Sequence, residues 1–194
     1  MNDSNKWNIL DKLIARVRYS KVNKYIKKNG VIVDVGCGQE GKFLLNHKNE
    51  IKNGYGLDFK IDDKVVDNIK FINNFKLKSI PIKNNSVDVI FLNAVLEHLK
   101  NPRELLTNYL RLLKSQGLLV MTTPTPISKS ILEFMAFKLH IINSKEIEEH
   151  VHYYSKKDIV KLIQSLKKEH DIVLKEYKKF EFGLNSLIVI KKVR

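Results

Sequence analysis

Apolar residues in the first stretch of the chain, residues 7–28, fall close to helical spacing at Leu10, Leu13, Ile14, Val17, Val22, Tyr25 and Ile26. Asn29-Gly30 is a helix stop. The apolar run Val31–Val35, broken by Gly36, predicts a buried strand feeding a glycine loop, and Phe43-Leu44-Leu45 predicts the apolar face of the next helix. Further strands are expected at 55–58, 69–72 and 87–92. Asn101-Pro102 opens an amphipathic helix through Leu105, Leu106, Tyr109, Leu110, Leu112 and Leu113. Gly117 should stop that helix and begin a fifth strand at 118–121. Beyond Pro124 and Pro126 the rhythm changes. Residues 128–143 are apolar almost all round, 155–168 form another amphipathic helix, and 172–175 and 187–190 read as two closing strands.

Strand and helix alternate, so the expected fold is an open, mostly parallel α/β sheet. With 194 residues, no internal repeat and no low-complexity linker, the chain reads as one domain. The formal charge is +14, from 35 basic and 21 acidic residues, which invites a nucleic-acid or anionic-membrane partner. The cations are 30 Lys against 5 Arg, however, and Lys, Asn and Ile make up 69 residues. That is the bias of an AT-rich coding sequence, and it favours a solvated lysine coat over a concentrated basic patch. A single cysteine excludes an internal disulfide and a cysteine-based zinc site. With no basic-then-apolar leader and no long apolar run, a cytoplasmic protein is expected.

Gly36-Cys37-Gly38-Gln39-Glu40-Gly41 satisfies the G-x-G-x-x-G pattern, in which glycines let a ligand approach the backbone where a strand turns into a helix. Asp58 follows Gly36 by 22 residues at the end of the next strand, where a carboxylate can accept both hydroxyls of a ribose. A dinucleotide or S-adenosylmethionine would suit both features. Asp34 separates them: beside a pyrophosphate it would add repulsion, whereas the ammonium and sulfonium of S-adenosylmethionine favour a nearby anion. A tight turn with no ligand is the plainer alternative.

Over residues 31–123 the sequence resembles the class I S-adenosylmethionine-dependent methyltransferases of the type 11 kind. Asp34-Val35-Gly36-Cys37-Gly38 resembles the first motif and Gly56-Leu57-Asp58 the second. The run from Ile80-Pro81 through Asn84-Asn85-Ser86-Val87-Asp88 resembles the segment leading into strand four. Val95-Leu96-Glu97-His98-Leu99 resembles the "VLEHL" segment, and residues 112–120 the "R-V-L-K-P-G-G-x-L-V" segment. The tail Glu149-His150-Val151-His152-Tyr153-Tyr154-Ser155 and the Phe182-Gly183-Leu184-Asn185 segment are similar to small methyltransferases of polysaccharide and cell-surface gene clusters.

The resemblance implies a Rossmann-like, mostly parallel seven-stranded sheet with an antiparallel last strand and helices on both faces. Within it, 1–29 would be a helical cap and 30–123 the cofactor-binding core. Residues 124–154 would be an apolar lid or acceptor insertion, and 155–194 the closing helix and strands. Asp34, Gly36, Cys37 and Gly38 would line the methionyl part of the cofactor, although Cys37 reads as a small packed side chain. Asp58 would hold the ribose, Phe59 would lie against the adenine, and Asn93 and Ala94 would pass under the sulfonium. Lys76 stands where relatives place the acid that accepts the adenine amino group. Lys cannot accept that bond, so backbone groups at Lys76 and Leu77 are expected to serve. Gly41 comes one residue late for the commonest loop form and is a doubtful contact.

Methyl transfer is an in-line displacement, and a hydroxyl acceptor is helped by a general base, for which His98, His150 and His152 are the candidates. His150 and His152 stand two apart, so on an extended segment they would face one side. A metal-dependent variant is set aside because Glu97-His98 offers two ligands and the earlier acidic position is Ala94. Nucleic-acid amino-methyltransferases carry an Asn/Asp-Pro-Pro-aromatic loop where this chain has Asn93-Ala94-Val95-Leu96.

The expected activity is therefore methyl transfer to a small, glycan or lipid-linked acceptor, on oxygen, leaving S-adenosylhomocysteine. The alternatives are a non-catalytic cofactor- or partner-binding relative, and an RNA or protein methyltransferase. The expected partners are the acceptor, an anionic membrane touched peripherally, and a second copy of the chain.

Overall fold

The computed structural model describes residues 9–73, 82–139 and 141–194. The elements are α1 (Ile9–Val22), β1 (Val31–Val35), α2 (Lys42–Asn46), β2 (Asn53–Leu57), β3 (Lys64–Val66), β4 (Ile69–Ile72) and β5 (Val87–Asn93). They continue with α3 (Pro102–Leu112), β6 (Leu113–Pro124), α4 (Ser128–Glu133), α5 (Ser144–Glu148), α6 (Lys156–Leu166), β7 (Ile172–Phe180) and β8 (Asn185–Lys192). Among the described residues one sheet contains eight strands in the order β3-β4-β2-β1-β5-β6-β8-β7. The five strands from β4 to β6 run parallel, and β8 is antiparallel to both β6 and β7. The expected seven-stranded sheet with an antiparallel last strand is present. An eighth strand, β3, adds an antiparallel edge to β4. Its three residues, Lys-Val-Val, are too few and too exposed to show an alternation.

Each face of the sheet carries its own apolar layer, as a parallel sheet covered by helices requires. Val33 and Val35 of β1 pack with Leu106, Tyr109 and Leu110 of α3 and with Ile159, Ile163 and Leu166 of α6. Ile32 points the other way, toward Val22 of α1 and Phe43 and Leu44 of α2. Every such fully buried side chain contributes roughly 1.5–3 kcal/mol relative to exposure. The strand alternation thus decides which helix covers which face.

Helix ends follow local chemistry. Ser155 caps α6: its hydroxyl accepts from the Asp158 amide at 3.2 Å, while the Ser155 amide donates to the Asp158 carboxylate at 2.9 Å. The end of α3 departs from expectation. The helix stops at Leu112, not at Gly117, because Leu113 is already extended and opens a long β6. The terminal carbonyls are satisfied by other elements. Arg111 and Leu112 accept from the Asn85 and Ser86 amides, and the buried Lys192 ammonium donates to the carbonyls of Leu110 and Leu113 at 3.0 and 2.8 Å. No sequence motif announces that cap, because Lys192 arrives from the last strand.

Candidate functional site

The carboxyl ends of β1, β2, β5 and β6 lie together, where ligands bind in open α/β sheets. At the end of β1 the loop turns sharply into α2. Gly38 has φ +71°, and a Cβ built there would meet nothing within 4 Å. Its amide donates to the Asp58 Oδ2 at 2.8 Å, and the Lys60 amide donates to Oδ1 at 2.8 Å. Both carboxylate oxygens are thus fixed, and each keeps a lone pair for a further donor. Gly41, by contrast, is a packing residue: a Cβ there would lie 2.1 Å from the Phe71 ring. The literal G-x-G-x-x-G match therefore mixes a glycine that opens space with one that lets a core ring in.

Asp34 is buried, and burial followed by the charge of Asp58 holds its carboxyl well above the usual range. A cation beside it would relieve that cost. Cys37 is buried against the same layer as Phe43 and Phe71. Burial first, and then Asp34 and Asp58, push its thiol up, so it is not a thiolate nucleophile. Asn93 ends β5 with both amide atoms shielded and without a hydrogen-bond partner among the described residues. Ala94 follows with φ +56°, an uncommon conformation for a residue with a Cβ, and its amide is held by the Thr122 carbonyl at 3.0 Å. The strained turn and the unpartnered amide both lie beside the end of β1. Phe59 is exposed just beyond Asp58, with the Lys60 ammonium 5.0 Å from its ring centroid. Lys76 and Leu77 lie outside the described residues.

The histidines sort differently from their spacing. His98 closes the single 3₁₀ turn after β5, and its Nδ1 lies 3.3 Å from the Glu149 carbonyl. His150 packs edge-on against His98, with centroids 4.9 Å apart, and its Nδ1 lies 3.1 Å from the Tyr153 hydroxyl. Burial lowers the pKa of His98; burial, then His98 and Arg18, lower that of His150 to about 4. Both imidazoles are neutral near pH 7. His152 diverges: its ring lies 4.5 Å from that of Tyr154, and its Nε2 is 3.9 Å from Asp158. His150 and His152 nevertheless line the same cleft, although residues 151–155 are not a strand. The Val151 and His152 amides both converge on the Glu97 carbonyl, at 2.8 and 3.2 Å, which alternating strand amides cannot do.

That convergence brings a third group to the pair. The ligand atoms of Glu97, His98 and His150 lie within 4.8 Å of one another, and Glu97 is buried. The sequence argument against a metal counted two ligands; the tertiary structure supplies another. Beside them a cleft of about 440 Å³ is lined by Lys129, Glu133 and Phe137 on one side and by Ile147, His150, His152 and Tyr153 on the other. The segment after β6 is α4 followed by a π-turn at Phe134–Lys138, where the Leu139 amide reaches the Phe134 carbonyl at 3.1 Å. It rests on the core through Ser128, Ala136 and Ile142. Two of these three are small, so Ile131, Phe134, Phe137, Leu139 and Ile141 remain exposed.

A family described as "Methyltransferase domain" matches residues 8–166. The chain belongs to that family. In solved structures this methyltransferase-domain chain is similar to one from the complex between the Haloferax volcanii Trm112 methyltransferase activator and a methyltransferase. The TM-score is 0.67 at 14% identity, covering 96% of this chain and 99% of that one. An S-adenosylmethionine-dependent methyltransferase from Listeria monocytogenes aligns with TM-score 0.65 at 15% identity, over 92% and 99% of the two chains. The geranyl diphosphate C-methyltransferase of Streptomyces coelicolor, in complex with Mg2+, geranyl diphosphate and S-adenosylhomocysteine, aligns with TM-score 0.64 at 14% identity. That alignment covers 94% of this chain and 80% of that one. No curated protein matches the sequence. These likenesses show the fold shared by the methyltransferase domain, and the chemistry must be argued from its own residues.

Among the described residues no helix is long and apolar enough to cross a membrane. In the sequence Glu97 stood only as half of a Glu-His pair, and Tyr153 only within the 149–155 segment, with no site role for either. A signal was available for the first, because an acid directly after Val95-Leu96 is out of place on an apolar turn. None was available for Tyr153.

Proposed function

We propose that this chain transfers the methyl group of S-adenosylmethionine to a hydroxyl of a small, glycan or lipid-linked acceptor. The observation that carries the reading is the pair of buried carboxylates, Asp34 and Asp58, flanking the open face of Gly38 at the ends of β1 and β2. Asp58 presents two anchored oxygens to the ribose hydroxyls, and Asp34 presents a carboxyl whose ionisation burial and Asp58 oppose and the cationic methionyl end would favour. Asn93 and the backbone at Ala94 line the path of the sulfonium, and Phe59 flanks the adenine. A pyrophosphate beside Asp34 would meet repulsion, which weighs against a dinucleotide.

The sulfonium supplies an activated methyl group. The acceptor oxygen forms a bond to that carbon as the carbon–sulfur bond breaks, the pair returns to sulfur as a thioether, and the hydroxyl proton leaves. The protein's part is to align the two, to exclude water and to ease loss of the proton. His150, neutral and lining the cleft, and His98, neutral and packed behind it, are the groups placed to do this, with His152 on the same cleft. Residues 124–154 form the acceptor side of the domain. The exposed Phe134 and Phe137 suit an acceptor with an apolar tail.

The test is calorimetry with S-adenosylhomocysteine and with a nicotinamide dinucleotide, followed by tritiated-methyl transfer to glycan, quinone and lipid acceptors. Binding of the dinucleotide in place of S-adenosylhomocysteine would sink the reading. A second reading, a domain that works through a bound partner protein, draws on the likeness to the chain from the Trm112 complex. It predicts cofactor binding by the purified chain with transfer only after a partner is added.

A further inference from the structure

Glu97 and His98 lie on the turn after β5, and His150 comes from the segment following α5, yet their ligand atoms gather within 4.8 Å. Tetrahedral zinc ligands at 2.0–2.1 Å stand roughly 3.4 Å apart, so side-chain rotations of about an ångström would close the cluster on an ion. The backbone beneath is already fixed, because the Glu97 carbonyl accepts both the Val151 and His152 amides and ties the two segments together. Each imidazole is also oriented from behind. The Glu149 oxygen can only accept, so His98 carries its proton on Nδ1 and turns the Nε2 lone pair outward. The Tyr153 hydroxyl at His150 Nδ1 offers the same arrangement. An oxygen behind each ligating histidine is how protein metal sites fix tautomer and ring direction.

We propose that Glu97, His98 and His150 form a divalent-metal site of the two-histidine, one-carboxylate type, suited to Zn2+, which meets the cleft at His150. Two imidazoles disfavour Mg2+ and Ca2+, which take oxygen ligands. The charged surroundings are mixed. Arg18 bears on both imidazoles and Lys60 on His98, opposing a cation, while Glu149 stands beside His98, and Glu133 with Glu97 beside Tyr153. Resting on the reading of this cleft as the acceptor site, the ion would bind the acceptor hydroxyl, lower its pKa and release the proton to water. The histidines would then assist as ligands in place of free bases.

The experiment is calorimetry and equilibrium dialysis of the purified full chain, stripped with chelator, against ZnCl2, and then against CoCl2 with the visible spectrum recorded. One equivalent of Zn2+ is expected, together with the intense visible bands of four-coordinate Co2+. His98→Ala, His150→Ala and the near-isosteric Glu97→Gln should each weaken zinc at least about a hundredfold, and Tyr153→Phe about tenfold. His47→Ala, at a histidine that ends α2 and pairs with Glu50, should leave zinc affinity unchanged. Circular dichroism of every variant confirms folding, and Glu97→Gln keeps the test open should an alanine variant fail to fold. Absence of stoichiometric zinc, or zinc that survives all three ligand substitutions, overturns the site. S-adenosylhomocysteine is titrated into the same samples. Binding of it without zinc overturns the metal alone, and zinc without it overturns the cofactor reading and leaves the metal standing.

Discussion

His150 lies edge-on against His98 with ring planes at 72°, although the two stand on separate segments of chain. The contact makes them one unit. Replacing either by Ala should lower the maximal rate on the true acceptor by about two to four decades and leave S-adenosylhomocysteine affinity intact, read by steady-state kinetics and calorimetry. His152→Ala should cost less, since its ring is engaged with Tyr154. Wild-type rates in both the His98 and His150 variants would show that alignment alone carries the reaction.

Asp58 should be worth one to two decades of cofactor affinity. Asp58→Asn loses the charge and one acceptor oxygen, weakening the bonds to the ribose by roughly 1.5–3 kcal/mol in all. Calorimetry on a variant with an unchanged melting temperature is the measurement. Equal affinity in the two proteins would remove Asp58 from the site.

Two glycines of one loop should answer oppositely to Ala. Gly41→Ala drives a Cβ into Phe71 at positive φ and should cost about 2–4 kcal/mol of stability. Gly38→Ala meets open space in the protein, so it should cost about 1–2 kcal/mol for its left-handed backbone and fall hardest on cofactor binding. Thermal melts with and without S-adenosylhomocysteine separate the two. A smaller loss of stability at Gly41 than at Gly38 would contradict the packing argument.

Acid sensitivity should trace in part to Asp88, far from the cleft. Burial alone would raise its pKa, but the ammonium groups of Lys114 and Lys27, at 2.7 and 2.8 Å, and the Val31 amide lower it to about 2. Its folded pKa is below the unfolded value of about 3.9, so its contribution is complete above about pH 4 and is lost as pH falls toward 2. Asp88→Asn should therefore destabilise by about 1–3 kcal/mol at pH 7 and by progressively less below pH 4. Denaturant titrations at several pH values would show it, and a constant difference down to pH 2 would refute it.

Phe134→Ser with Phe137→Ser should weaken acceptor binding and spare both stability and S-adenosylhomocysteine affinity, because both rings are exposed and the segment meets the core through Ser128, Ala136 and Ile142 instead. A large loss of thermal stability with unchanged acceptor kinetics would make the segment ordinary core.

The sequence by itself determined the sheet, the glycine loop and the two acids at the ends of β1 and β2. These are local matters: continuous apolar runs can only be buried strands between helical layers, and a strand-to-loop turn fixes the acids that border it. The strand β3 was beyond reach, since three half-exposed residues carry no period. So was the end of α3, whose cap is an ammonium from β8. Tertiary structure alone decided the fate of the histidines. Their spacing put His150 with His152, and both line one cleft, but the contact of His150 with His98 comes from two amides sharing the Glu97 carbonyl, which tie the two segments together. Tertiary structure also decided that the apolar stretch after β6 shows its large residues outward, because the positions that reach the core are mostly small. Proximity between segments distant in sequence follows from how layers stack, and no local pattern of residues encodes it.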